Sequence, residues 1–138
     1  MPIVQKTNRE LDYSDLDLDF IAHPTTGDVV KKKGEEAVKR SIRNLVLTNF
    51  YDRKFRHGIG SNATRLLFEN ITPMTTIHLR NAIIEVINNF EPRARLADSN
   101  SVQVIPDIDG NGYTATIEFY LINRMEPVVF DLFLERIR

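Results

Sequence analysis

A chain of 138 residues, 42% hydrophobic and 27% charged, is long enough for one domain with a real core, and its net charge of -1 offers no broad attraction to nucleic acid or anionic membrane. It has no cysteine, which excludes disulfides, thiolate zinc sites and cysteine nucleophiles. No apolar run approaches membrane-spanning length and the opening MPIVQKTNRE lacks a signal-peptide core, so a soluble protein assembled in a cytoplasm is expected.

The charge is unevenly placed. Residues 1–28 carry 2 basic and 6 acidic side chains, residues 31–56 carry 9 and 3, and residues 57–138 carry 7 and 10. Such a polarised chain suits orientation between differently charged neighbours.

Residues 1–138 read as a single domain in which the polar residues 1–12 form an arm. DLDLDF then alternates, with Leu16, Leu18 and Phe20 on one face and Asp15, Asp17 and Asp19 on a wet face. HPTTGDVVKKK reads as a turn around Gly27 and Asp28 followed by a short strand, which completes a hairpin. From Glu35 to Phe50 the period becomes helical: Val38, Ile42, Leu45, Val46 and Phe50 share one face, with Lys39, Arg40 and Arg43 largely opposite. Glu35 and Glu36 suit the positive end of that helix. After the irregular YDRKFRHGIGS, Ser61 or Asn62 can cap a short helix through Glu69.

Thr72 followed by Pro73 is a further helix start, because proline in the first turn gives up no needed hydrogen bond. Leu79, Ile83, Val86, Ile87 and Phe90 form its apolar stripe, and Pro92 predicts its end near Phe90. SVQVIP, YTATIEFYLI and PVVFDLFLERI then read as strands; the second faces inward with Tyr113, Ala115, Ile117, Phe119 and Leu121, the third with Val128, Phe130, Leu132 and Leu134. The sum is an α+β fold, an antiparallel sheet with hairpins packed against about three helices.

Several candidate sites have a plainer reading beside them. Residues 107–118, DIDGNGYTATIE, satisfy a calcium-loop pattern through Asp107, Asp109, Asn111, Gly112 and Glu118. The flanks are β rather than helical, so a hairpin turn at DGNG is the preferred reading. Asp15, Asp17 and Asp19 lie ~7 Å apart along a strand, too far to share one ion, and are expected to solvate an edge. His23, His57 and His78 have no metal-binding spacing, and HGIGS lacks the lysine of a phosphate loop. The basic stretch Lys31–Arg56 has few aromatics to stack on bases, which favours a protein partner over nucleic acid. Glu91 and Asp98 can be posed as a glycosidase pair, which needs carboxyl groups ~5–10 Å apart. Arg93 and Arg95 nearby would lower the glutamate's pKa, the reverse of what a general acid needs. No catalytic residue, cofactor or metal site is therefore expected.

Two stretches together, LFENITPMT (Leu67 to Thr75) and NFEPRARL (Asn89 to Leu96), resemble the baseplate wedge protein of contractile-tailed, T-even-like phages, the gene product twenty-five family, whose counterpart in type VI secretion is TssE. The resemblance runs from about Glu35 to the C-terminus. It implies a structural protein of the virion tail baseplate, with a fold like the strand-exchange (handshake) domain of the tail sheath protein. It also implies that the Glu-Pro-Arg loop, here Glu91, Pro92 and Arg93 with Arg95 close by, engages the core bundle of neighbouring wedge proteins. A strand edge would seat the first sheath ring by strand addition. Family members tend to have prolines before the short helix; Lys54 and His57 stand at those places here. Members have also been labelled lysozymes, which makes a peptidoglycan-cleaving glycosidase the alternative. On the first reading Glu91 and Arg93 are expected to project charge toward partners without disturbing the fold.

Overall fold

The computed structural model describes residues 13–17, 19–122 and 124–137. The expected arm at residues 1–12, together with Leu18, lies outside them. The elements in chain order are β1 (Ser14–Leu16), β2 (Lys31–Lys33), α1 (Glu35–Leu47), α2 (Ala63–Leu66), α3 (Pro73–Phe90), β3 (Ala94–Arg95), β4 (Val102–Asp107), β5 (Gly112–Leu121) and β6 (Pro127–Glu135), with one 3-10 turn at Ser99–Ser101. This is an α+β fold with a two-stranded and a four-stranded antiparallel sheet.

The helices start where local chemistry directs. Gly34 precedes α1 with φ 59, a conformation that suits glycine, and Glu35 and Glu36 occupy the first turn. The helix stops at Leu47, three residues before the expected end, because Thr48 turns extended while its hydroxyl bonds the Asn44 carbonyl at 2.6 Å. Phe50 thereby leaves the apolar face. Ser61 supplies the side-chain cap of α2: its Oγ accepts the Ala63 N–H at 3.1 Å and donates to the Val46 carbonyl at 2.7 Å, tying α2 to α1. Thr72 caps α3, accepting the Thr75 N–H at 3.1 Å, with Pro73 at the first position as expected.

The sheet is organised by β5, which pairs β6 from Gly112↔Glu135 to Tyr120↔Pro127. Its other edge is shared by β4, from Val102↔Ile117 to Asp107↔Gly112, and by the two residues of β3, Ala94↔Leu121 and Arg95↔Tyr120. The four-residue turn between β4 and β5 is the hairpin expected at DGNG, with Asn111 at φ 51. Glu118 sits opposite Val129, along the strand and away from that turn. The inward faces of β5 and β6 pack on Val38, Ile42, Val46, Leu79, Ile83, Val86 and Ile87 in one apolar cluster. The expected inward residues of β5 are all buried; in β6, Phe130 is only partly so.

The first hairpin corrects an expectation. β1 and β2 pair antiparallel, but β1 ends at Leu16 and the alternation does not continue. Asp17 is only 2% exposed, whereas Leu16 and Phe20 face solvent. The physical reason is electrostatic: Arg40 of α1 lies 3.3 Å from Asp17 and Lys32 lies 3.5 Å away, and Arg40 also pairs with Asp19. The Asp17 carboxyl is held below its ordinary pKa by the backbone N–H of Asp19, against burial and with help from Lys32 and Arg40. It fastens the hairpin to α1.

Candidate docking site

The corner after α3 is built by a proline and an ion pair. Glu91 ends the helix with φ -120 and ψ 82, its N–H still bonded to the Ile87 carbonyl, and Pro92 admits only such an extended predecessor. The chain then turns tightly, the Ala94 N–H reaching the Glu91 carbonyl at 3.3 Å, and enters β3. Arg93 reaches back to grip both carboxylate oxygens: Nε donates to Oε1 at 2.7 Å and Nη2 to Oε2 at 2.9 Å. This two-pronged geometry is the strong form of a charged hydrogen bond.

Glu91 is 2% exposed, so the expected outward projection of its charge does not occur. Burial alone would push its carboxyl upward in pKa; the hydrogen bonds and charge of Arg93, helped by the nearby Ser41 side chain of α1, outweigh that and hold it below the usual range. Arg93 is held protonated more firmly by the same hydrogen bond, against its own partial burial. Its guanidinium also lies over the Tyr13 ring, 5.6 Å from the centroid, and its carbonyl accepts the Ile122 N–H at 3.3 Å. The corner is thus fixed to α1, to the segment before β1 and to the end of β5.

What the corner presents outward is Pro92, Arg95 and part of Arg93. Arg95 borders a pocket of about 350 Å³ with Tyr120, Ile122, Arg124 and Met125, of which Ile122 and Met125 are exposed apolar side chains. Asp98, the other half of the posed glycosidase pair, caps the 3-10 turn: its Oδ1 accepts the Asn100 N–H at 2.8 Å, and Ser101 completes a capping box. The side chain of Asp98 is thus engaged in the turn, and Glu91 is shifted away from the raised pKa that a general acid needs.

A second candidate surface is the outer edge of β6. Among the described residues this nine-residue strand pairs only with β5. A groove of about 520 Å³ runs beside it, between Phe130–Phe133 and the side chains of Lys32, Glu36, Lys39, Arg40 and Arg43. The sequence placed the basic stretch; the structure divides it, with Lys32, Lys39 and Arg40 engaged in ion pairs near this groove. Arg53, Lys54 and Arg56 stand apart on a loop after α1. Neither the burial of Asp17 nor that of Glu91 had a signal in the sequence, beyond the presence of unmatched arginines on α1 and at the corner.

Comparison with known proteins adds the family. The family described as baseplate wedge protein gp25 matches residues 32–125, from β2 into the β5–β6 connection. The baseplate wedge protein gp25 of Enterobacteria phage T4 is 29% identical over 116 residues, which cover 84% of this chain and 85% of that protein. Among solved structures, a chain of the anti-feeding prophage baseplate is 26% identical with a TM-score of 0.59, covering 92% of this chain and 88% of that one. A Geobacter sulfurreducens protein described as a tail lysozyme is 24% identical with a TM-score of 0.59, covering 73% and 91%; at that identity the likeness shows the fold alone.

Proposed function

Because the chain belongs to the baseplate wedge protein gp25 family, a baseplate component of a contractile tail or related system that assembles with other baseplate proteins, we propose that it works as a structural adaptor with two docking surfaces. The Glu91–Arg95 corner seats on the core bundle of neighbouring wedge proteins, and the outer edge of β6 receives an extended strand of the tail sheath protein. Assembly takes place in the host cytoplasm, and the protein has no catalytic role.

The observation that carries this reading is the Glu91–Arg93 fork. Both oxygens of a buried carboxylate are consumed in fixing a three-residue turn, which leaves Pro92 and Arg95 in a preset position on the surface. Rigid presentation of this kind lowers the ordering cost of association. The fork also speaks against the glycosidase alternative, because a general acid needs a raised pKa and Glu91 is shifted the other way.

The β6 edge supports the second surface on separate grounds. A nine-residue strand with one edge unpartnered among the described residues is a template for main-chain pairing, and Val129 and Phe133 are exposed along it.

The decisive variant is Arg95→Glu, which touches an exposed side chain and leaves the fork intact. The isolated chain is expected to unfold at the wild-type urea concentration while incorporation into wedges falls at least roughly tenfold, the scale of a lost or reversed charged contact. Normal incorporation would remove the corner from docking. Release of fragments from purified cell walls, lost on Glu91→Gln, would restore the glycosidase instead.

A further inference from the structure

The segment between α1 and α2 is a self-supporting loop whose most conspicuous side chain does nothing for this chain. Its neck is closed twice. Ser61 N–H bonds the Thr48 carbonyl at 2.8 Å, and Tyr51 N–H bonds the His57 carbonyl at 3.1 Å, with the Tyr51 and His57 rings stacked at 5.8 Å. Asp52 turns its Oδ2 inward to accept the Asn49 N–H at 2.9 Å. Gly60 is squeezed at the base, where a Cβ would lie 2.5 Å from the Asn49 carbonyl carbon. Compact loops with closed ends and internal bonds are often functional.

Beyond the neck, residues 52–56 are exposed throughout. Phe55 is 96% exposed, and its backbone sits at φ 69, a left-handed conformation that a bulky residue rarely adopts and that glycine takes freely. An aromatic side chain in solvent on a strained backbone is doubly unfavourable in the isolated chain. Around it stand Arg53, Lys54 and Arg56, none in an ion pair among the described residues, while the one acidic neighbour, Asp52, is occupied with Asn49.

We propose that the Asn49–Ser61 loop is a third docking element, in which Phe55 plugs an apolar socket rimmed by carboxylates on a neighbouring protein of the baseplate. The charge of the tip selects an acidic rim, and a rigidly held aromatic anchor is the usual centre of a protein interface. Nucleic acid is the poorer fit: Tyr51 is stacked on His57 of its own loop, and Phe55 is the one aromatic ring at the tip, residues 52–56, which makes no platform for successive bases. A lipid surface is also poorer, since one apolar side chain between three cations is not an apolar face.

The test places p-benzoylphenylalanine at position 55 and irradiates assembled baseplate particles. The expected product joins position 55 to a different protein, at a segment where Asp and Glu outnumber Lys and Arg. Its yield should fall at least roughly tenfold in an Arg53→Glu, Arg56→Glu background, as for loss of paired interfacial charges. Phe55→Gly should leave the thermal midpoint of the isolated chain unchanged or raised while incorporation into particles drops. Four results would overturn the proposal: no product, a product with nucleic acid, lipid or a second copy of this chain, a yield indifferent to the charge reversal, or full incorporation of Phe55→Gly.

Discussion

Arg93 closes both of its prongs on Glu91, two residues away, at 2.7 and 2.9 Å, and so converts a helix end into a fixed corner. The pair is asymmetric: the glutamate is buried and the arginine is about one quarter exposed. Removing either partner therefore has a different consequence.

Arg93→Ala leaves a buried carboxylate with little more than the backbone N–H of residue 93, 3.4 Å from Oε1, to answer it. Breaking a buried pair costs about 3–5 kcal/mol, and the partial exposure of Arg93 puts this case nearer about 2–3 kcal/mol. Glu91→Gln keeps the shape, lets Arg93 turn to water, and should cost about 1–2 kcal/mol. Urea denaturation of the isolated chain measures both. Equal, negligible losses would mean that the fork contributes nothing to folding and acts only toward partners.

Acid stability follows from the same pair. The folded pKa of Glu91 is depressed, so its contribution is fully present above the unfolded carboxylate value of about 4.3 and is lost as pH falls through the lower folded value. Asp17 is shifted in the same direction, first by the Asp19 N–H, and adds to the same limb. Stability between roughly pH 5 and pH 2 should fall less steeply in Glu91→Gln than in the wild type. Parallel limbs would show that the carboxyl titrates normally.

Tyr113 points to a change in the opposite direction. Its ring is fully buried in β5, and its hydroxyl has no hydrogen-bond partner among the described residues. Burial also drives that hydroxyl's pKa upward, so it stays neutral through the physiological range. Tyr113→Phe removes an unanswered polar group from the core and should stabilise by about 1 kcal/mol. A loss of stability would reveal a partner for the hydroxyl.

These residues also mark what the sequence made legible. β5 could be read at once, because a strand buried on one face writes its burial as alternation: Tyr113, Ala115, Ile117, Phe119 and Leu121 are all inward. α3 was equally plain, since Thr72, Pro73 and Pro92 punctuate both its ends. In DLDLDF the alternation points the aspartates to water, yet Asp17 turns in, because ion pairs override the apolar pattern. Its partners Lys32 and Arg40 come from other elements, and no local pattern announces a contact across 23 positions. β3 is two residues long and carries no period of its own; it is a strand only because β5 is already there. Glu91, Pro92 and Arg93 mark the corner in the sequence, but that the carboxylate turns inward and is closed by Arg93 is a matter of tertiary packing that no local pattern carries.

The edge of β6 gives the prediction that separates strand addition from any looser contact. In an antiparallel pair alternate residues exchange hydrogen bonds with the partner, so about half of the N–H groups of an edge strand point away from it. Pro127 has none, and the remaining residues to Glu135 should present about four toward the basic groove beside α1. In the isolated chain these amides should exchange quickly while their neighbours, bonded to β5, are protected. Seating a partner strand would bond the outward set too, and hydrogen exchange on sheath-bearing baseplates should then show protection rising at alternate positions of residues 127–135. Residues 102–107 of β4, on the opposite side of β5, should change little. Uniform protection of both edges would indicate general burial, and unchanged exchange in β6 would remove strand addition at this edge.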